Sequence, residues 1–160
     1  MRRDDFERLY EEHAQPLFGF LAYRTGNPAL AEDLLADTFE RALRARKRFD
    51  RRKASEKTWL YTIALNLLRD SARRNKSEAR AVERIPHERA GAPDAMTAVE
   101  HRDEIQRALR VLSDEEREAI ALRFGGDLTV PEIAKLLKQP LPRIEGRVYR
   151  SLRKLRDELD

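Results

Sequence analysis

The sequence predicts an all-α protein made of two small helical domains, an N-terminal helical bundle and a C-terminal helix-turn-helix, joined by a linker. Three observations predict it. Apolar residues recur at spacings of three and four along most of the 160 residues, and β-branched runs of alternating period are lacking. From Ala81 to Ala98 that rhythm lapses, and Pro86, Gly91 and Pro93 fall among charged and small residues. The chain therefore divides into a bundle over residues 1–80, a linker over 81–98 and a second domain over 99–160.

Each element has its own signal. Phe6, Leu9, Tyr10, His13, Leu17, Phe20 and Leu21 trace one helical stripe, with Pro16 expected to kink or divide it. Asn27 reads as an N-cap with Pro28 at the first helical position. Leu30, Leu34, Leu35, Phe39, Ala42 and Leu43 carry the second helix toward Arg48. A basic loop spans Phe49 to Lys57, and a third helix runs from about Glu56 to Arg74 on a stripe of Trp59, Leu60, Ile63, Ala64, Leu67 and Leu68.

After the linker a helix is expected around Val99 to Leu112. Ser113 and Glu116 form a capping box that opens a helix through Phe124, and Gly125 and Gly126 end it. Thr129 and Glu132 repeat the signature before Val130, Ile133, Ala134, Leu136 and Leu137. Gln139, Pro140, Leu141 and Pro142 break the chain. The last helix carries Ile144, Val148, Leu152, Leu155 and Leu159 on one side, with Arg143, Arg147, Arg150, Arg153, Lys154 and Arg156 on the others.

Charge narrows the function classes. Charged residues make up 39% of the chain, yet 33 Lys and Arg against 29 Asp and Glu leave a net charge of only +4. The surplus is regional. Residues 51–80 hold nine basic and three acidic groups, and residues 128–160 hold eight and five. Such islands fit a polyanion partner, because each neutralised phosphate releases condensed counterions, and on charge alone they fit a merely solvated helical surface equally well. Cysteine is absent, which excludes disulfide staples, thiol catalysis and thiolate zinc sites. His13, His87 and His101 lack metal-ligand spacing, and no phosphate-cradling glycine motif occurs. No enzyme activity, cofactor or metal is expected. No window approaches 18 consecutive apolar residues and no signal-peptide core follows Met1, so the chain is expected to be cytoplasmic, without membrane insertion.

The capped short helix, tight turn and basic final helix form a helix-turn-helix, with Arg147 and Arg150 the best groove candidates and Tyr149 beside them. In the other basic island, Trp59, Tyr61, Asn66, Arg69, Arg73 and Arg74 put aromatic, amide and guanidinium groups on one helix, a combination suited to unpaired bases. Taken alone, a Trp on a buried stripe is more often core packing than a stacking platform. Asp33, Asp37 and Glu40 share one helical face, which either docks a basic partner or simply faces solvent.

Three segments in order carry a resemblance: A-E-D-L-L-A-D-T-F-E-R-A from Ala31 to Ala42, W-L-Y-T-I-A-L-N from Trp59 to Asn66, and L-T-V-P-E-I-A-K-L-L with its basic helix. Together they resemble the extracytoplasmic-function (ECF) sigma factors, sigma-70-type subunits of bacterial RNA polymerase. The resemblance implies that the bundle binds the beta-prime clamp of core polymerase through Asp33, Asp37 and Glu40. It implies that Phe49, Trp59, Tyr61, Asn66, Arg69 and Arg73 serve minus-ten promoter DNA, with the loop from Phe49 to Lys57 capturing a flipped base. Arg143, Glu145, Arg147, Tyr149 and Arg150 would serve the minus-thirty-five element. An anti-sigma factor is a further partner that the family suggests. The chain departs from the usual pattern at Ala36, Glu145 and Gly146, and Glu145 repels phosphate while able to accept from cytosine N4. The rival is a stand-alone helix-turn-helix regulator that binds duplex DNA and dimerises through its bundle. A structural RNA-binding bundle is a third class.

Overall fold

Asn27 and Pro28 set the first corner of the fold. The Asn27 side chain accepts a hydrogen bond from the Leu30 N–H at 3.2 Å, and Pro28 occupies the first turn, where its missing N–H costs nothing. In the computed structural model, which describes residues 1–81, 104 and 106–160, the helix begun here is α2, Pro28–Ala45. Before it comes α1, Arg3–Thr25, which starts on Asp4 and Asp5 and stops where Gly26 turns left-handed at φ 64° and donates to the Ala22 carbonyl. Pro16 lies inside α1 without dividing it: the helix forgoes one backbone bond there and continues.

Helix α3, Glu56–Ala81, completes the bundle, with the Ser55 hydroxyl accepting from the Thr58 N–H at its start. It extends past the expected Arg74. The segment beyond Leu68 has no apolar stripe, but it is rich in Ala, Arg and Lys, which propagate a helix without one. α2 packs against both α1 and α3. The core is Leu9, Leu17, Phe20, Leu21, Ala31, Leu34, Phe39, Ala42, Leu60, Tyr61, Ala64, Leu65, Leu67 and Leu68. Phe6 and Tyr10 meet the Phe39 ring edge-on at centroid distances of 6.2 and 4.8 Å.

The chain separates into two compact units, Met1–Pro86 and His87–Asp160. Ala81, the first residue of the expected linker, ends α3, and the rest of the linker, His87, His101 and the start of the helix around Val99 fall outside the described residues. In the second unit, residues 106–109 are helical and bury Ala108 and Leu109. Ser113 and Glu116 form the expected box at 3.2 and 3.0 Å and open α4, Asp114–Ile120. The single helix expected through Phe124 is instead interrupted. From Ala121 to Gly125 the backbone widens to a π-helical turn, closed by the Gly126 N–H on the Ala121 carbonyl at 2.9 Å.

Thr129 and Glu132 cap α5, Val130–Leu137. Lys138 ends it in the left-handed region at φ 55°, and α6, Leu141–Leu159, follows after two residues. α6 packs against α4 and α5. Ile144 and Val148 are buried as expected and Leu155 is half-buried, but Leu152 and Leu159 are 42% and 52% exposed, and past Val148 the fully buried position is Ser151.

Candidate nucleic-acid and protein-docking surfaces

Helix α2 turns Ala31, Leu34, Thr38, Phe39 and Ala42 inward, which fixes Glu32, Asp33, Ala36, Asp37 and Glu40 on the outside. Thr38 is the polar member of the inward row, and it donates its hydroxyl proton to the Leu34 carbonyl at 2.7 Å. Glu40 pairs with Arg44 one turn on. No ion pair among the described residues engages Asp33 or Asp37. The result is a solvent-facing carboxylate row on a rigid helix, able to meet a basic protein surface.

The α3 side presents different chemistry. Thr62, Asn66, Arg69 and Arg73 are exposed at intervals of three and four and so share one face. Arg73 leans on Asp70 at 3.3 Å. Tyr61 stands apart from them. It is wholly buried, with its ring 6.1 Å from that of Phe20, so it supports α3 from inside the bundle. The half-buried aromatics are Phe49 and Trp59, whose rings meet at 4.9 Å and 47°. The loop before α3 is braced by local bonds. The Asp50 carboxylate accepts from the Arg52 N–H at 2.9 Å, and Arg51 reaches Glu56 at 3.2 Å. Exposed Arg51, Arg52 and Lys53 thereby border the Phe49–Trp59 pair in sequence. Aromatic faces, an amide and guanidinium groups on neighbouring turns can stack on unpaired bases and track their backbone.

On the second unit, α5, a short left-handed turn and α6 make the helix-turn-helix. Arg143, Glu145, Tyr149 and Arg150 are exposed along the first half of α6, with Tyr149 68% so. Arg147 is not among them. Only 8% exposed, it donates through Nη2 to the Gln139 side-chain oxygen at 2.9 Å and lies 3.5 Å from the Glu115 carboxylate. Its carbonyl accepts the Ser151 hydroxyl at 2.6 Å. Arg147 therefore ties the turn and α4 to α6, where the sequence pattern places it in the groove. The partner that draws it inward, Gln139, reads in sequence only as part of a chain break.

Glu116 anchors the other end of α6. Its carboxylate accepts from Lys154 at 2.9 Å as well as from the Ser113 N–H. Burial pushes this carboxyl up, but the Ser113 and Lys154 hydrogen bonds outweigh it and hold the group below the usual carboxylate range. Among the described residues no cluster of His, Asp or Glu is arranged to hold a metal ion, and no helix is long and apolar enough to cross a membrane.

Two family models match the chain, one in each unit. Residues 9–78 match the family model for Sigma-70 region 2, and residues 108–157 match that for Sigma-70 region 4. The chain is 34% identical over 166 residues to the RNA polymerase sigma factor CarQ of Myxococcus xanthus, covering 99% of this chain and 92% of that protein. It is 31% identical over 162 residues to the ECF RNA polymerase sigma factor BldN of Streptomyces coelicolor. That match takes in 95% of this chain but spans only 59% of BldN. A solved structure of the sigma factor RpoE in complex with the anti-sigma factor NepR, from Bartonella quintana, matches the fold with a TM-score of 0.75 at 24% identity, over 97% of this chain and 96% of that one.

Proposed function

Because the chain belongs to the sigma-70 family as an RNA polymerase sigma factor of the ECF type, we propose that it grips core polymerase through α2, traps melted minus-ten bases beside α3, and lays α6 in the minus-thirty-five major groove. The observation that carries the proposal is the sorting of exposed charge. On α2 the exposed Glu32, Asp33, Asp37 and Glu40 outnumber Arg41 and Arg44, while the loop, α3 and α6 each carry a surplus of cations. Like-signed phosphates repel the first surface and attract the others, so the acidic face is left for a basic protein, the beta-prime clamp.

No catalytic group is invoked. Opening the duplex forfeits stacking of about 1.4 kcal/mol per step, and each base stacked on an aromatic returns about 1 to 3 kcal/mol. A few trapped bases therefore tip the balance. Phe49 and Trp59 are the aromatics placed for this, Asn66, Arg69 and Arg73 supply polar and cationic contacts, and Tyr61 shapes the bundle behind them. Arg143, Glu145, Tyr149 and Arg150 are the groove residues, and Arg147 supports their helix. The chain works in the cytoplasm, where core polymerase and promoter DNA are, and an anti-sigma factor is a further proposed partner.

Charge reversal tests the docking face. Asp33→Arg with Asp37→Arg is expected to leave the helical content unchanged, since both side chains are exposed, and to abolish copurification with core polymerase. Undiminished copurification would overturn the assignment of α2 and favour a regulator that binds duplex DNA alone.

A further inference from the structure

Gly146 lies in the second turn of α6, where glycine weakens a helix more than any residue but proline. Its neighbour explains its use. Helical side chains lean toward the N-terminus, so the residue covering position 146 is Arg150, four places on. A Cβ built on Gly146 would lie 2.9 Å from Nη1 of Arg150, 3.7 Å from its Cζ and 3.9 Å from its Nη2. The guanidinium thus occupies space that any other residue at 146 would take. Arg147, the adjacent guanidinium, is turned inward to Gln139 and Glu115, so it does not compete for that surface.

We infer that Gly146 is a specificity-determining residue of the groove helix: its missing side chain seats the Arg150 guanidinium against the early turns of α6, where the fork meets a guanine. Early turns of a groove helix face base edges, and an arginine fork matches O6 and N7 of guanine in the major groove. This rests on α6 being the minus-thirty-five helix of a sigma factor. An alanine at 146 would meet only the far end of a flexible side chain, so Arg150 swings away and the backbone stays. Alanine also favours the helix, so the fold survives.

The test uses the full chain with core polymerase on a promoter library randomised across the upstream element. The native chain is expected to prefer guanine at one position by roughly 5- to 150-fold. Arg150→Ala should flatten that preference, and Gly146→Ala should reduce it at the same position with Tm no lower than native. In the Arg150→Ala background, Gly146→Ala should change nothing further. An unaltered guanine preference in Gly146→Ala would overturn the inference. So would an even loss across all sequences with a shallower salt dependence, which marks a phosphate contact. A native chain with no upstream preference would remove the sigma-factor reading of α6 before any substitution is made, and the inference with it.

Discussion

Arg147 keeps its positive charge with its side chain 9% exposed, so its stability depends on the acceptors around it. Gln139 and Glu115 supply them, and truncation would strand the Gln139 amide oxygen in a partly buried position. Arg147→Ala should therefore lower the unfolding free energy of the second unit by about 1–3 kcal/mol, whereas Arg143→Ala, at an exposed position, should stay within about 0.5 kcal/mol. Urea unfolding of both variants checks this, and equal midpoints would refute the inward role. Glu116 adds a pH dependence. Its folded pKa lies below the ordinary 4.5, so its charge adds stability above that value and loses it as pH falls through the depressed one. Glu116→Ala should cost about 0.5–2 kcal/mol at pH 7, with the gap narrowing below pH 4.5. A gap constant down to pH 3 would contradict it. The inward turn of Arg147 and the Lys154–Glu116 pair were not legible in the sequence, although the Ser113–Glu116 box was. A row of arginines and glutamates identifies charge, and only the packing of α4, the turn and α6 shows which of them is enclosed.

Among the helices, the chain's punctuation was legible and its irregularities were not. Asn27–Pro28, Ser113–Glu116 and Thr129–Glu132 each opened a helix where the capping chemistry indicates, because those bonds form within four residues. The π-helical turn at Ala121–Gly125 and the exposure of Leu152 and Leu159 depend on contacts between elements, which apolar spacing does not encode. The length of α3 was missed for the opposite reason, since its last turns show no apolar spacing in the sequence and are composed of strong helix formers. Within α3 the same distinction separates Tyr61, packed on Phe20, from Trp59, paired with Phe49 at the loop. Phe49→Ala should weaken promoter opening by about 1–3 kcal/mol, the worth of one stacked base, while leaving upstream duplex binding unchanged. Fluorescence of 2-aminopurine placed in the minus-ten element measures it. Opening at the native level would remove Phe49 from base capture.

At the scale of the molecule, a net charge of +4 conceals two kinds of surface, one acidic and one basic. The first unit carries both kinds, an acidic row on α2 and a basic loop and α3, and the second unit carries the basic groove helix. Each unit matches one sigma-70 region, which is why the order of motifs in the sequence identified the family while the placement of Arg147 and Tyr61 needed the fold. If α2 is the docking face proposed above, loss of its carboxylates should disable initiation even with both basic surfaces intact. The most direct measurement is run-off transcription by purified core polymerase on a promoter for this chain, with the native chain and the Asp33→Arg, Asp37→Arg variant side by side. The native chain should give a discrete start site and the variant none, with upstream duplex affinity equal in the two. Equal transcripts from both, or none from the native chain, would contradict the account.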